Sequence, residues 1–196
     1  MIETWFETPI YFNQILGSAL DKIQKEIEPV YLNFKNNQGF VSREDWRTHL
    51  LSDPTFSKNI ITEYSLTNLQ KEIEKNINFY LDNIGFLKKR EFRITSSWMI
   101  CCKKGHYAHV HNHGYSDISG CYYFLTNMQD GDIFFESPNK HVATNYCFDH
   151  LISRVKYSPE IGKILLFPSW LEHGVHTNAC DSERVSISFN VYFDKY

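Results

Sequence analysis

The sequence lacks any apolar run approaching the ~18 residues that a membrane span needs, so no transmembrane helix is expected. It also lacks a basic block. Lys and Arg number 20 against 23 Asp and Glu, for a net charge of −3. The short cluster Lys88-Lys89-Arg90 reads as a solvated loop between a helix and a strand. A nucleic-acid surface is therefore not expected. The opening stretch, MIETWFETPI, has an acidic residue and no basic one, which does not suit a secretory leader. Cysteines are few and odd in number: Cys101, Cys102, Cys121, Cys147 and Cys180. With no Cys-x-x-Cys spacing they argue against a disulfide framework or a zinc finger. Reduced, buried thiols in a cytoplasmic protein are the expectation. Internal repeats and low-complexity segments are also missing.

What is present is apolar and aromatic. Hydrophobic residues make up 42% and aromatics 16%, which describes a folded chain and not a disordered one. A length of 196 residues fits a single domain, 1–196, able to bury a core without staples.

The pattern changes near residue 90. Before it, apolar residues recur at helical spacing. Ile15, Leu16, Ala19, Ile23 and Ile27 predict a helix over 13–28, stopped by Pro29. Leu66, Leu69, Ile73, Ile77, Tyr80, Leu81 and Ile84 predict a second over 66–84, ended by Gly85. Residues 36–58 read as loop, and a first strand is expected at 3–6. After residue 90, short strands are predicted at 92–102, 106–111, 118–125, 131–136, 151–157, 163–167, 172–177 and 184–193. Turn signals such as Lys104-Gly105, Asp130-Gly131 and Ser158-Pro159 separate them. Eight short strands so spaced suit a jelly roll. The expected architecture is mainly β: a double-sheet barrel over 91–196, with the helices of 1–90 supporting one sheet.

Six of the nine histidines fall in two short stretches: His106, His109, His111 and His113, then His173 and His176. His109, His111 and His113 recur with a period of two, which on a strand places them on one face. A polar stripe in water explains one such histidine and not three. Two rings from this stretch and His173 from a distant strand can converge on one metal, for which neutral imidazole is a good ligand. His176, three residues past His173, points elsewhere. The last strand alternates cleanly. Arg184, Ser186, Ser188 and Asn190 share one face, and Val185, Ile187, Phe189 and Val191 the other. A polar face in water has this pattern, and so does a strand lining a barrel pocket.

These residues resemble the iron(II)- and 2-oxoglutarate-dependent oxygenases, in particular their prolyl-hydroxylase-like members. Gly105 leads to His111 and then His113, where the usual pattern has a glycine, a histidine and an acidic ligand. Ile118-Ser-Gly-Cys-Tyr-Tyr-Phe is similar to the strand that follows in that group, and His173 followed by Arg184 is similar to its distal pair. A bacterial and phage subfamily is resembled further at Phe6-Glu-Thr-Pro9, Phe167-Pro-Ser-Trp-Leu-Glu-His173 and Glu183-Arg-Val-Ser-Ile-Ser-Phe-Asn190. The resemblance implies a double-stranded β-helix. It implies iron(II) held by His111, His113 and His173, with Asp117 replacing or joining His113 as the open alternative. It implies 2-oxoglutarate bound through Arg184 and Ser186, with Tyr123 as a further donor. The implied reaction consumes O2 and 2-oxoglutarate, yields succinate and CO2, and hydroxylates a C–H bond of a small-molecule or peptide substrate. Trp98, Trp170 and Tyr115 are candidates for the substrate mouth.

The same spacings also resemble the cupins. Gly105 and His111-x-His113 fit the first cupin motif, and Gly162, Pro168 and His173 fit the second, with Trp170 where a glycine is expected. A cupin would be a metal-binding dioxygenase, isomerase or sugar-binding module that has no need of Arg184 and Ser186. A barrel that has lost its metal is a third reading, which the retained histidines oppose.

Overall fold

The computed structural model describes residues 7–42, 49–53, 55–85, 91–141 and 153–194. Its elements are β1 (Tyr11–Gln14), α1 (Gly17–Asn36), β2 (Leu50–Leu51), α2 (Ile60–Glu63), α3 (Thr67–Asn83), β3 (Phe92–Cys102), β4 (Ala108–His111), β5 (Ile118–Leu125), β6 (Ile133–Glu136), β7 (Arg154–Tyr157), β8 (Lys163–Pro168), β9 (His173–Val175) and β10 (Arg184–Phe193). All eight strands predicted after residue 90 are found, and β3, β5 and β10 start and stop where expected.

The strands form two antiparallel sheets, ordered β1-β8-β5-β10-β3-β2 and β4-β9-β6-β7. From β3 onward the chain passes back and forth between them. This is a jelly-roll barrel, the double-stranded β-helix expected from the sequence.

The large sheet is buried on both faces, and strand alternation divides the labour. On β10, Val185, Ile187, Phe189 and Val191 are fully buried and join Ile164 and Leu166 of β8 and Tyr122 and Phe124 of β5. This outer face meets Ile23, Ile27, Val30 and Tyr31 of α1 and Leu69, Ile73, Ile77 and Tyr80 of α3. Inside the barrel a smaller cluster gathers Cys121, Tyr123, Ile133, Phe135, Leu165, Phe167 and Leu171. Gly120 of β5 allows this close packing, since a Cβ there would come within 2.5 Å of the Phe189 ring and 2.7 Å of the Leu165 carbonyl.

Three features of the amino-terminal half differ from expectation. The strand expected at 3–6 lies outside the described residues. A strand occupies Tyr11–Gln14, where helix was expected from residue 13; it pairs with the edge of β8. The Tyr11 hydroxyl (2.7 Å) and Asn13 Nδ2 (2.8 Å) both donate to Asn76 Oδ1 of α3, which fixes the strand in place. Gly17, at φ +60°, then turns the chain into α1. Pro29 does not stop that helix, which runs through it to Asn36. Burial of Val30 and Tyr31 on the far side of the proline outweighs the missing backbone hydrogen bond. Finally, the stretch read as loop contains β2, an edge strand on β3.

Pro29 is exposed, so its replacement removes no core contact. Pro29→Ala is expected to stabilise the protein by about 1–3 kcal/mol, by restoring a helical hydrogen bond and relieving a clash. Ile187→Ala is expected to cost about 2–5 kcal/mol. Denaturant unfolding of both variants measures these changes.

Candidate metal centre and its cavity

His111 closes β4, His173 opens β9, and the two are Cα partners across that antiparallel pair. His113 lies in the turn beyond β4, its backbone N–H donated to the Ser169 carbonyl at 2.8 Å. One ligating nitrogen from each ring lies within 4.8 Å of the other two. Among the described residues no other such group of histidines, cysteines and carboxylates is found.

The hydrogen bonds of the remaining ring nitrogens select the tautomer. His111 Nδ1 is 2.7 Å from the His109 carbonyl, and His173 Nδ1 is 2.9 Å from the Leu171 carbonyl. A carbonyl only accepts, so both rings carry their proton on Nδ1, which makes Nε2 the nitrogen that bears the lone pair. His113 Nδ1 faces Asn190 Oδ1 at 2.8 Å and Ser119 Oγ at 3.0 Å. Burial pushes the His111 imidazole down to about 4, lowers His113, and sets His173 well below the ordinary value. The neighbouring rings add to this at His111 and His173, where a second positive charge would be repelled. All three are therefore neutral near pH 7, as metal ligands must be.

Three histidines on the same stretches, His106, His109 and His176, fall outside the group, and His106 Nδ1 accepts the Lys103 backbone N–H at 3.2 Å. A register irregularity between Ala108 and His111 breaks the period of two, and His109 is exposed beside the Tyr107 ring. His176 stacks on Phe134 at 4.6 Å, away from the cavity as expected. Asp117 is also outside. It is exposed, and its Oδ2 accepts the Phe193 N–H at 2.9 Å.

The three rings open onto a cavity of about 330 Å³ inside the barrel. Arg184, Ser186, Ser188 and Asn190 line it together, as their alternation on β10 implied, and Tyr123 lines it from β5. No Asp or Glu is among the described lining residues. Arg184 is 3% exposed. Its Nη1 donates to the Asp130 carbonyl (2.9 Å) and the Gly131 carbonyl (2.6 Å), and its Nη2 to Cys102 Sγ (2.9 Å). Burial raises the Cys102 thiol, which stays protonated. The guanidinium thus has only neutral hydrogen-bond partners among the described residues, with donors left over for a ligand. Gly131 permits the approach: a Cβ there would lie 3.1 Å from Arg184 Nη1 and collide with the His176 carbonyl.

Of the residues proposed for a substrate mouth, Trp98 lines the cavity with its ring 5.8 Å from that of His113. Tyr115 lines it and is 91% exposed. Trp170 lies outside it, half-exposed on the surface. The sequence reading missed His49, which is buried in the cavity wall with Nδ1 3.2 Å from the Tyr107 carbonyl. It stands alone in a stretch with no periodicity, so no pattern marked it.

Residues 96–190, which carry every one of these groups except His49, match the family model described as "Putative 2OG-Fe(II) oxygenase". These residues are accordingly assigned to the 2-oxoglutarate- and iron(II)-dependent oxygenase superfamily. Iron(II) and 2-oxoglutarate are that family's cofactor and co-substrate, and the histidine group is suited to the metal. The cupin alternative gives way to this assignment.

Solved structures share the oxygenase fold at low identity. The α-ketoglutarate-dependent epimerase SnoN from nogalamycin biosynthesis has a TM-score of 0.65 at 9% identity, over 94% of this chain and 77% of its own. A prolyl hydroxylase from Trichoplax adhaerens, in complex with a hypoxia inducible factor peptide fragment, has a TM-score of 0.62 at 17% identity, over 93% and 83%. HygX from Streptomyces hygroscopicus, with nickel and 2-oxoglutarate bound, has a TM-score of 0.61 at 10% identity, over 94% and 82%. Among curated proteins no match is found. No helix among the described residues is long and apolar enough to cross a membrane.

His49 and His111 are both held down to about 4 by burial, whereas a histidine in the unfolded chain titrates near ~6.5. Between those values the folded oxygenase binds fewer protons than the unfolded chain. The associated stability is complete above pH ~6.5 and is lost as the pH falls towards about 4. The urea midpoint of the metal-free protein should fall across this window, and His49→Gln should make the fall shallower. An identical pH profile in His49→Gln would count against a neutral, buried His49.

Proposed function

We propose that this oxygenase hydroxylates a C–H bond of a small-molecule or peptide substrate. In this reading His111, His113 and His173 hold iron(II), Arg184 and Ser186 hold the far carboxylate of 2-oxoglutarate, and Tyr123 supplies a further donor to it. The observation that carries the reading is the grouping, in one cavity, of three imidazoles whose ligating nitrogens lie within 4.8 Å of one another with a buried guanidinium whose hydrogen-bond partners among the described residues are all neutral. Bound together, iron(II) and 2-oxoglutarate supply O2 activation, through oxidative decarboxylation to succinate and CO2.

The chain's own residues bind, orient and shield. Three neutral ligands leave the charge of the ion uncompensated, and Arg184 adds another positive charge in the same cavity. A dianionic co-substrate answers both, with one carboxylate towards the histidines and the other on the guanidinium fork. Phe135 and Phe167 wall the His173 ring at 5.9 and 4.7 Å, which excludes water and fixes the ring. Trp98 and Phe56, 4.8 Å apart, with exposed Tyr115, form the face left for the substrate. The peptide held by the Trichoplax enzyme and the nickel and 2-oxoglutarate held by HygX support this choice of ligand classes. The helices and the barrel share one apolar cluster, which supports reading the chain as one domain with the helices as its brace.

Anaerobic titration with iron(II) and 2-oxoglutarate is expected to give a visible metal-to-ligand charge-transfer band. Arg184→Gln should weaken 2-oxoglutarate binding by about 2 kcal/mol or more, roughly thirtyfold, while still binding the metal. A band of the same strength and midpoint in Arg184→Gln would remove the guanidinium from this role. With O2 and a panel of substrates, succinate should form together with a product one oxygen atom heavier. Succinate accompanied only by an isomerised or cyclised product would overturn hydroxylation.

A further inference from the structure

Three residues from separate sequence blocks have no part in the reading above: Ser119 of Ser-Gly-Cys-Tyr-Tyr, Ser169 of Phe-Pro-Ser-Trp, and Asn190 at the end of Ser-Ile-Ser-Phe-Asn. Sheet pairing brings them together. Asn190 of β10 is the Cα partner of Ser96 on β3 and of Ser119 on β5, and Ser169 follows β8, which is paired with β5 on its other side. Their side chains meet behind the ring of His113. Resting on the metal-site reading above, we propose that Asn190, oriented by Ser119 and Ser169, is a positioning residue that holds His113 as the Nδ1–H tautomer, making it a metal ligand where the usual pattern has a carboxylate.

With the Asn190 amide oxygen towards His113, the hydrogen bonds run in one direction. Ser119 Oγ donates to Asn190 Oδ1 at 2.8 Å, and His113 Nδ1 lies 2.8 Å from the same oxygen. An amide oxygen has two lone pairs, and these two donors fill them. Having given its proton to Asn190, Ser119 accepts from the Ser169 hydroxyl at 2.8 Å. Asn190 Nδ2 donates to Ser96 Oγ at 3.2 Å, in keeping with an amide oxygen turned towards His113. Ser119 and Ser169 are fully buried, so water does not compete for these bonds. Ser169 acts twice, since its carbonyl also takes the His113 backbone N–H.

The need for such a group is specific to His113. A carboxylate offers acceptor oxygens whichever way it is turned, whereas a neutral imidazole offers one lone pair, and the wrong tautomer offers none to the metal. His111 and His173 have this choice made by backbone carbonyls. His113 has it made by a side chain, which mutation can change.

The test is cobalt(II) titration followed by d–d absorption, with melting of each metal-free variant measured alongside. Asn190→Ala should weaken cobalt binding about 10- to 100-fold, the usual effect of losing a partner to a ligating histidine. Asn190→Asp should stay within a few-fold of the unmutated protein, because a carboxylate accepts the same Nδ1–H and presents no donor when turned round. Equal affinity in Asn190→Ala and the unmutated protein overturns the proposal, and so does an equal loss in the Asp and Ala variants. Should Asn190→Ala fail to fold, two-bond 1H–15N correlations of His113 in the unmutated metal-free protein decide the matter. An Nδ1–H pattern supports the proposal and an Nε2–H pattern overturns it. Failure of the unmutated protein to bind cobalt overturns the metal reading itself, and with it this proposal. Cobalt binding that is indifferent to Asn190 overturns the proposal alone.

Discussion

A β-strand turns alternate side chains to opposite faces, and β10 depends on both faces at once. Val185, Ile187, Phe189 and Val191 hold the helices to the sheet, while Arg184, Ser186, Ser188 and Asn190 line the cavity. A slip of one residue against β3 or β5 would put a guanidinium into the apolar core and isoleucine into the site. Two paired strands fix that register, and the packed helices reward only one choice of it. The stability of the outer layer and the placement of the polar groups that line the cavity are therefore one constraint.

The second sheet supplies the histidine half of the cavity by different means. Pairing of β4 with β9 places His111 opposite His173, so two of the three rings are positioned by the ladder itself. Their tautomers are set locally, by carbonyls two residues away on the same chain. His113 stands past the end of its strand and takes its support from the large sheet, through Ser169, Asn190 and Ser119. The two sheets are thus coupled at this residue. Arg184 has a comparable arrangement, with Asp130 and Gly131, in the segment leading into β6, gripping a side chain of β10.

The charge pattern of the cavity follows from what lines it. Neutral imidazoles, a permanent guanidinium and no described carboxylate make a site that favours anions once a divalent ion is present. A site with the usual carboxylate would cancel one of these charges. In the proposed function, three histidine ligands leave more of the balance to 2-oxoglutarate and to whatever binds beside it.

The sequence by itself determined the strands of the barrel and which residues of β10 face inward, because a period of two is a local property of the chain. It also marked His111, His113, His173 and Arg184, because uncommon residue types clustered at motif spacing. It misjudged Pro29 and the strand at Tyr11–Gln14, since burial of Val30 and Tyr31 and the hold of Asn76 come from elements distant in sequence. Only the tertiary structure separated His109 from its neighbours, by an irregular register against β9, and turned Asp117 towards Phe193. It alone brought His49 to the cavity and Ser119, Ser169 and Asn190 to the back of His113. Ser119 stands only six positions from His113, but its bond to Ser169 spans 50 positions and that of His113 to Asn190 spans 77, and no local pattern encodes a meeting at that separation.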